Sequence, residues 1–190
     1  IVFVPAMGWQ DYNYIKYARV AEEDPNAVVS FHYYLPMLLS HYKMLAWVGY
    51  QGAVQYPGVV IPTQSDADKY PQYASFHKTT YNADRIMGEM SNAASDGRNA
   101  GLAVHCGEFG CSKNVAEAMR LAWFTDMVAA MEANNIPWTL WECLDGGFGF
   151  VDMEYGIHRI NCPLLKVLTG KELTDAEAKA LLQKYGFKTE

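Results

Sequence analysis

The residues with the clearest chemical potential lie in the segment His105 to Gly110, where an apolar run that begins at Leu102 ends in a carboxylate between two glycines. In a parallel α/β barrel, a buried strand fixes the backbone, and the side chain at its carboxyl end points into the mouth of the barrel. Glu108 is therefore the leading candidate for a catalytic residue. Glycine-flanked acids are also common in ordinary turns, so the neighbouring strand ends decide the interpretation.

Three other strand ends have the same design. The short β-prone runs that stop in polar or aromatic side chains and then break at Pro or Gly are Ile1 to Val4, Ala27 to Ser30 and Ile136 to Leu140. His32 and Tyr34 follow the second run, and Trp141 follows the third. The helical patterns between the strands cover roughly Tyr12 to Glu22, Thr79 to Ala94 and Val115 to Ala133, the last with Asn114 as candidate N-cap. This alternation predicts βα units and a parallel sheet.

In order and spacing, these segments resemble the last strands of glycoside hydrolase family 5, the cellulase-like retaining β-glycanases. The resemblance is carried by Phe31-His32-Tyr33-Tyr34 with Pro36, by Gly107-Glu108-Phe109-Gly110, by Trp138-Thr139-Leu140-Trp141 followed by Gly146-Gly147-Phe148-Gly149, and by Ser40-His41 with Trp47. It implies a (β/α)8 barrel in which Glu108, at the end of strand seven, is the nucleophile. It also implies that His32 and Tyr34 line the site and that Trp141 is the platform beneath the bound sugar.

The chemistry of such a site agrees with these residue types. A retaining glycosidase uses an ionised carboxylate that attacks the anomeric carbon, and a second carboxyl group about 5 Å away that donates and later removes a proton. Aromatic side chains offer large apolar area with a polar handle, which suits the C–H faces of a pyranose ring. No His, Cys or acidic cluster has the spacing of a zinc or calcium site, so we expect neither a metal nor a cofactor.

The chain departs from the family in the proton donor. The family's acid/base glutamate lies in an Asn-Glu-Pro motif at the end of strand four, and the sequence contains no Asn-Glu dipeptide. In family order, Ile1 to Pro5 resembles strand five, and a complete barrel takes about 250 residues. We therefore expect residues 1–190 to form the C-terminal (β/α)4 half of the barrel, strands five to eight, with a long inserted connection at about 35–78. The start at Ile1 suggests a processed or truncated polypeptide.

The chain offers four acids near strand eight as alternative proton donors: Glu142, Asp145, Asp152 and Glu154. Period-two alternation turns Glu142 away from the mouth if Trp141 faces it. Asp145 lies in a Gly-rich loop, where Asp is typically a turn former. We therefore assign no acid/base residue in this chain.

A half-barrel leaves the inner face of its sheet uncovered, whereas parallel sheets are normally buried on both faces. Three candidates could cover this face: a second copy of the chain, a complementary N-terminal half-barrel, or the apolar connection at 35–78. Homodimerisation into a barrel-like pair is the preferred hypothesis.

Composition narrows the function classes. A net charge of −6 and a pI near 5.3 disfavour nucleic acid and anionic membranes as partners, and no run of 18 apolar residues is present. We expect a retaining endo-β-1,4-glucanase (cellulase) acting on β-glucan, secreted because its substrate is polymeric. Two alternatives remain, namely a catalytically incomplete sugar-binding or structural half-barrel, and a related mannanase or xylanase.

The C-terminal region predicts ordinary architecture. A short helix from Pro163 to Leu168 should end at Gly170, and the pattern Thr174 to Glu177 is typical of a capping box that opens a final helix. Buried free thiols are the default expectation for Cys106 and Cys143.

Overall fold

The computed structural model describes residues 1–19, 24–44, 49–144 and 146–190. Its centre is a four-stranded sheet in which every neighbouring pair is parallel. The strands, in their order across the sheet, are β1 (Val2–Pro5), β2 (Ala27–Tyr33), β5 (Ala103–Phe109) and β6 (Trp138–Leu140). Sequential parallel strands joined by helical crossovers are the repeating unit of a (β/α) barrel, so the predicted partial barrel is confirmed.

Two long helices, α4 (Ala83–Asn99) and α5 (Glu117–Ala133), pack against each other and supply the outer layer. Alternate side chains of the strands point into this layer because side chains alternate between the two faces of a strand. Phe31, Tyr33 and Phe109 are at most 1% exposed there. The main hydrophobic core therefore lies between the sheet and its helices.

Helix boundaries differ from the sequence prediction. A single turn, α1 (Met7–Gln10), follows β1. The segment at Tyr12–Tyr17 is a 3-10 helix rather than an α-helix, and residues 20–22 of that predicted helix lie outside the described part of the chain. Helix α4 begins after Asn82, whose side chain accepts a bond from the backbone of Arg85. The predicted cap at Asn114 is wrong, because Ala116 is the N-cap of α5 and Asn114 donates its amide to Tyr42 O instead.

The connection between β2 and α4 is folded on the helical side of the sheet. Its elements are α2 (Met37–Ser40), β3 (Gly58–Val59), α3 (Gln64–Lys69), a 3-10 helix (Pro71–Lys78) and β4 (Thr80–Tyr81). Val60 and Ile61 are fully buried in the main core, and the Tyr56 hydroxyl donates to Asp126 on α5. The described part of this connection therefore packs with the main core and leaves Phe3 on the inner face exposed, contrary to the hypothesis that the connection covers that face.

The inner face stays open among the described residues. The rings of Phe3 and His105 lie 4.9 Å apart, and His105 Nε2 is 3.1 Å from Thr139 Oγ1. Phe3 is 55% exposed although it lies in a central position along β1. A barrel normally fills this space with side chains from the opposite strands.

The C-terminal region adds an antiparallel hairpin and two helices. The elements are β7 (Val151–Glu154), β8 (Ile157–Ile160), α6 (Cys162–Thr169) and α7 (Asp175–Lys184). The hairpin was not predicted, whereas the helix stop at left-handed Gly170 and the capping box of Thr174 and Glu177 are confirmed. All four cysteines are free thiols; Cys106 is buried as expected, whereas Cys143 is exposed. No helix in the described ranges combines the length and apolar content that crossing a membrane requires.

Candidate active site

Glu108 lies at the carboxyl end of β5, directly beside the end of β2. A register shift after Phe31 brings His32 opposite Glu108 in the ladder. The Tyr34 hydroxyl donates to Glu108 Oε2 at 2.9 Å, and His32 Nδ1 is 3.4 Å from the same oxygen. The two adjacent parallel strands thus bring together three of the four residues that the sequence singles out.

The protonation states of the partners follow from burial. Burial raises the pKa of Tyr34 far above its ordinary value, and the bond to Glu108 adds to this shift, so Tyr34 stays a neutral donor. Burial lowers the pKa of His32, although the nearby charge of Glu108 opposes that shift. His32 is therefore neutral at pH 7. The Glu108 carboxylate is held by a neutral hydroxyl and a neutral imidazole rather than by a cation.

Trp141 follows β6 at the same rim of the sheet. Its backbone N–H donates to Phe109 O at 3.0 Å, and its side chain is 45% exposed. A side chain added at Gly110 would overlap the carbonyl oxygen of Trp141, so the chain segments after β5 and β6 are in close contact. The structure places Trp141 beside the segment that follows Glu108, with its ring available to solvent.

An aromatic cluster that the sequence analysis missed lies behind Tyr34. The Phe148 ring is 5.8 Å from the Tyr34 ring and 5.2 Å from the His41 ring, and Tyr34 and His41 are 4.9 Å apart. Burial lowers the pKa of His41, so this ring is also neutral at pH 7. Phe148 belongs to the Gly-rich stretch after β6, and a large aromatic between glycines is the sequence signal that marks it.

A cleft of about 580 Å³ opens beside these residues. It is lined by Gly8, Trp9, Asp11, Tyr12, His32, Tyr33, Tyr34, Leu35, Met37 and His41. Trp9 is 97% exposed at this cleft, in a left-handed turn with φ of 57° that follows the end of β1. The sequence analysis assigned Trp9 no role, although an exposed tryptophan ring has the large apolar face that suits a sugar ring.

None of the described alternative acids hydrogen-bonds to Glu108, although Glu142 lies near enough for its charge to help raise the pKa of Tyr34. In the described part of the chain, neither Glu142, Asp152 nor Glu154 hydrogen-bonds to Glu108, His32 or Tyr34. Asp152 pairs with Lys113 at 3.0 Å, and Glu142 Oε1 is buried without a hydrogen-bond partner. Asp145 lies outside the described residues. The same ranges contain no cluster of three His, Cys, Asp or Glu side chains that could hold a metal ion.

Parallel strands whose carboxyl ends carry a carboxylate and exposed aromatics define half of a barrel enzyme's mouth. The chain belongs to the cellulase family, glycosyl hydrolase family 5, whose model matches residues 1–147. Endoglucanase C of Acetivibrio thermocellus is 23% identical over 126 residues, which are 63% of this chain and 36% of that protein. Endoglucanase C307 of Clostridium sp. (strain F1) gives the same values.

Solved structures show the same fold. A hyperthermophilic endo-beta-1,4-glucanase in complex with substrate matches with a TM-score of 0.66 and 20% identity, covering 89% of this chain and 47% of that one. The cellulose synthase subunit Z of Clostridioides difficile matches with a TM-score of 0.65 and 20% identity, covering 88% and 48%. The chain thus spans about a third of the curated relatives' length and about half of these solved structures. The predicted family is confirmed.

Proposed function

We propose that this chain supplies the nucleophile and part of the sugar-binding surface of a retaining endo-β-1,4-glucanase. The observation that carries the proposal is the contact of Tyr34 and His32 with one oxygen of Glu108 at the carboxyl ends of β2 and β5. In this mechanism, Glu108 attacks the anomeric carbon and forms a glycosyl ester while the leaving oxygen takes a proton. Water then cleaves the ester and regenerates the carboxylate.

Tyr34 and His32 are suited to hold this nucleophile. Because both are neutral at pH 7, they orient the carboxylate without the strong charge pairing that would make it a poor nucleophile. A hydrogen bond from a hydroxyl to a charged group contributes about 1.5–3 kcal/mol, which is enough to fix one rotamer of Glu108. Orientation of this kind is a main source of rate in enzymes.

The proposed sugar-binding surface is mainly aromatic, with Asp11 as the one carboxylate among the described residues that line the cleft. Trp141 and Trp9 expose their rings at the rim, and the cleft between β1 and β2 carries further aromatic side chains. Such a surface suits neutral pyranose rings and requires no charge complement. Glucan is the favoured substrate because the curated relatives are named endoglucanases. Mannan and xylan present similar ring faces and are tested in parallel.

The proton donor must come from outside the described contacts of Glu108. We infer that the group lies on whatever covers the open inner face, either a second copy of this chain or a complementary N-terminal half-barrel. Without it, the chain would bind sugar and not turn over natural glucan, which is the second candidate function. The lack of a carboxylate bonded to Glu108, His32 or Tyr34 in the described ranges favours that second candidate for the isolated chain. We also propose secretion, because polymeric glucan is met outside the cell.

The decisive test separates the nucleophile from the proton donor. A 2,4-dinitrophenyl 2-deoxy-2-fluoro-β-cellobioside has a leaving group that departs without protonation, while its fluorine slows hydrolysis of the ester. We expect the chain to gain the mass of one fluorocellobiosyl group, mapped by peptide sequencing to Glu108. Glu108→Gln should stay unlabelled, and matched mannose and xylose reagents rank the sugar class. A folded chain that stays unlabelled by all three reagents contradicts the nucleophile role.

The second candidate is tested on the same protein. If the chain binds cellohexaose, measured by quenching of tryptophan fluorescence, but neither labels nor releases reducing ends, it is a binding module. Trp141→Ala should then weaken binding, whereas Tyr155→Ala should not, because Tyr155 is 95% exposed at the tip of the β7–β8 hairpin.

The homodimer hypothesis has its own test in light scattering at micromolar concentration. We expect a dimer that Phe3→Glu dissociates, because this substitution puts a charge on the open inner face. Tyr155→Glu is the matched control at an exposed site elsewhere. A wild-type chain that runs as a monomer overturns the dimer and leaves the complementary half-barrel as the partner.

A further inference from the structure

One buried cation joins the two chain segments at the rim. Arg120 in α5 is only 4% exposed. Its Nε donates to Cys111 O at 2.9 Å, and its Nη2 donates to Gly149 O at 2.8 Å and to Phe148 O. Cys111 follows β5, and Phe148 and Gly149 follow β6. A single guanidinium therefore ties the backbone after Glu108 to the backbone after Trp141.

Burying the Arg120 guanidinium costs folding free energy, and an apolar side chain at this position would not carry that cost. Taking a guanidinium out of water carries a large desolvation penalty, and burial lowers the pKa of Arg120 accordingly. Among the described residues, the ion pairs do not include Arg120, so backbone carbonyls are its hydrogen-bond acceptors. The planar fork of arginine can reach several carbonyls at fixed angles, which a lysine cannot do.

The side chain of Phe148 connects the backbone held by Arg120 to the residues around Glu108. Phe148, whose carbonyl accepts from Arg120, places its ring against the rings of Tyr34 and His41. Phe148 is 6% exposed, so its ring is confined on all sides. Tyr34 in turn donates to Glu108 Oε2. Arg120, Phe148, Tyr34 and Glu108 thus form a continuous line of contacts.

We propose that Arg120 is a positioning residue for Glu108, acting by fixing the backbone at Phe148 so that the Phe148 ring holds the Tyr34 hydroxyl against the carboxylate. This inference rests on the proposed function for its effect on rate. Its geometric content does not depend on turnover, because the Tyr34 to Glu108 bond exists in the free protein.

The test is a double-mutant cycle of Arg120→Met and Phe148→Leu. The first readout is the rate of Glu108 labelling by the fluorocellobioside described above. Each single variant should lose at least about tenfold, the equivalent of one hydrogen bond to a charged group. The double variant should lose no more than the worse single one, because both substitutions break the same line. Losses that multiply would show that the two residues act separately.

The second readout is the Tyr34 Oη to Glu108 Oε2 distance in crystal structures of the variants. It should exceed 3.5 Å, beyond hydrogen-bond range, in Arg120→Met. Met127→Ala is the matched control, since Met127 is fully buried in the same helix. It should destabilise the fold yet keep the 2.9 Å bond. A bond retained in Arg120→Met, or lost equally in Met127→Ala, overturns the positioning role.

Arg120→Lys separates geometry from charge. A lysine keeps the cation but cannot bond to both segments at once. We therefore expect Arg120→Lys to fall short of the wild-type labelling rate and to keep a Tyr34 Oη to Glu108 Oε2 distance longer than in the wild type. Full recovery in both readouts would refute the two-segment tie. If the wild-type chain is not labelled at all, the proposed nucleophile fails, and the crystal structures still decide whether Arg120 holds Tyr34 in place.

Discussion

Gly149→Ala probes how closely the segment after β6 must fold back on itself. Gly149 is buried and lies between Phe148 and the end of the loop. An added Cβ would overlap the carbonyl oxygen of Cys143, and it would lie 2.6 Å from the carbonyl carbon of Cys143 and 2.9 Å from the carbonyl oxygen of Glu142. These neighbours are backbone atoms, so no flexible side chain can move aside.

The size of the effect follows from these distances. Ordinary contact with a Cβ begins at 3.4 Å, so one side of the loop must move by about 1 Å to clear the carbonyl oxygen of Cys143. Overpacking of this kind costs about 1–3 kcal/mol of unfolding free energy. The displaced segments carry Phe148 on one side and Trp141 on the other, and a misplacement of about 1 Å can cost about 100-fold in rate. We expect a loss of roughly 10- to 100-fold in Glu108 labelling.

Two assays follow the same protein samples. Urea unfolding gives the free energy of unfolding, and the fluorocellobioside gives the labelling rate. Gly88→Ala in α4 is the matched control, because an added Cβ there meets nothing within 4 Å. Removing a helical glycine should stabilise the fold by about 0.5–1 kcal/mol and leave the labelling rate unchanged.

Two outcomes would contradict this prediction for Gly149→Ala. If Gly149→Ala labels at the wild-type rate, the spacing of the loop does not control the site. If it loses stability and rate in the same proportion as other destabilised variants such as Met127→Ala, the loss of rate reflects unfolding alone.

Three further predictions concern stability. Burial lowers the pKa values of His32, His41 and His105 in the folded chain. Below about pH 6.5 the unfolded chain therefore binds more protons than the folded chain. The free energy of unfolding should fall as the pH drops from there through the lowered pKa values of the folded chain. His41→Gln should flatten this fall in urea titrations. Tyr56→Phe breaks a partly buried bond to Asp126 and should cost about 1.5 kcal/mol in urea unfolding. Thr174→Ala removes the capping box of α7, which should cost about 1 kcal/mol and speed amide exchange in that helix.

The proximity of Glu108, His32 and Tyr34 could be predicted because it depends on residue type at strand ends. A parallel strand that ends in Glu108, next to one that ends in His32 and Tyr34, must bring these side chains to one rim. The register shift between β2 and β5 then sets the distances, and it cannot be derived from one sequence. The family resemblance gave the order of the strands, whereas their geometry required the fold.

What could not be predicted depends on long-range contacts. Nothing in a helical pattern indicates that Arg120 would reach two loops rather than solvent. Asn114 has the residue type of an N-cap, but a bond to Tyr42 O, from a segment far away in sequence, draws its side chain elsewhere. Trp9 lies in a left-handed turn, which sequence patterns assign to glycine rather than to an aromatic residue. Tertiary contacts overrode local preference at each position.

The open inner face is linked to the proton donor that the proposed mechanism requires. Any sheet that closes over Phe3 and Thr139 as barrel strands would bring its own strand ends to the rim where Glu108 lies. In a homodimer closed in this way, the strand-end carboxylate of the second copy would be that copy's own Glu108. In that arrangement, the Glu108 of one copy would attack the anomeric carbon, and the Glu108 of the other copy would have to protonate the leaving oxygen. Hydrolysis of unactivated glucan by a dimer would therefore vanish in a mixed dimer that pairs wild-type chains with Glu108→Gln chains. A complementary half-barrel that brings its own acid would leave such activity proportional to the wild-type chains present.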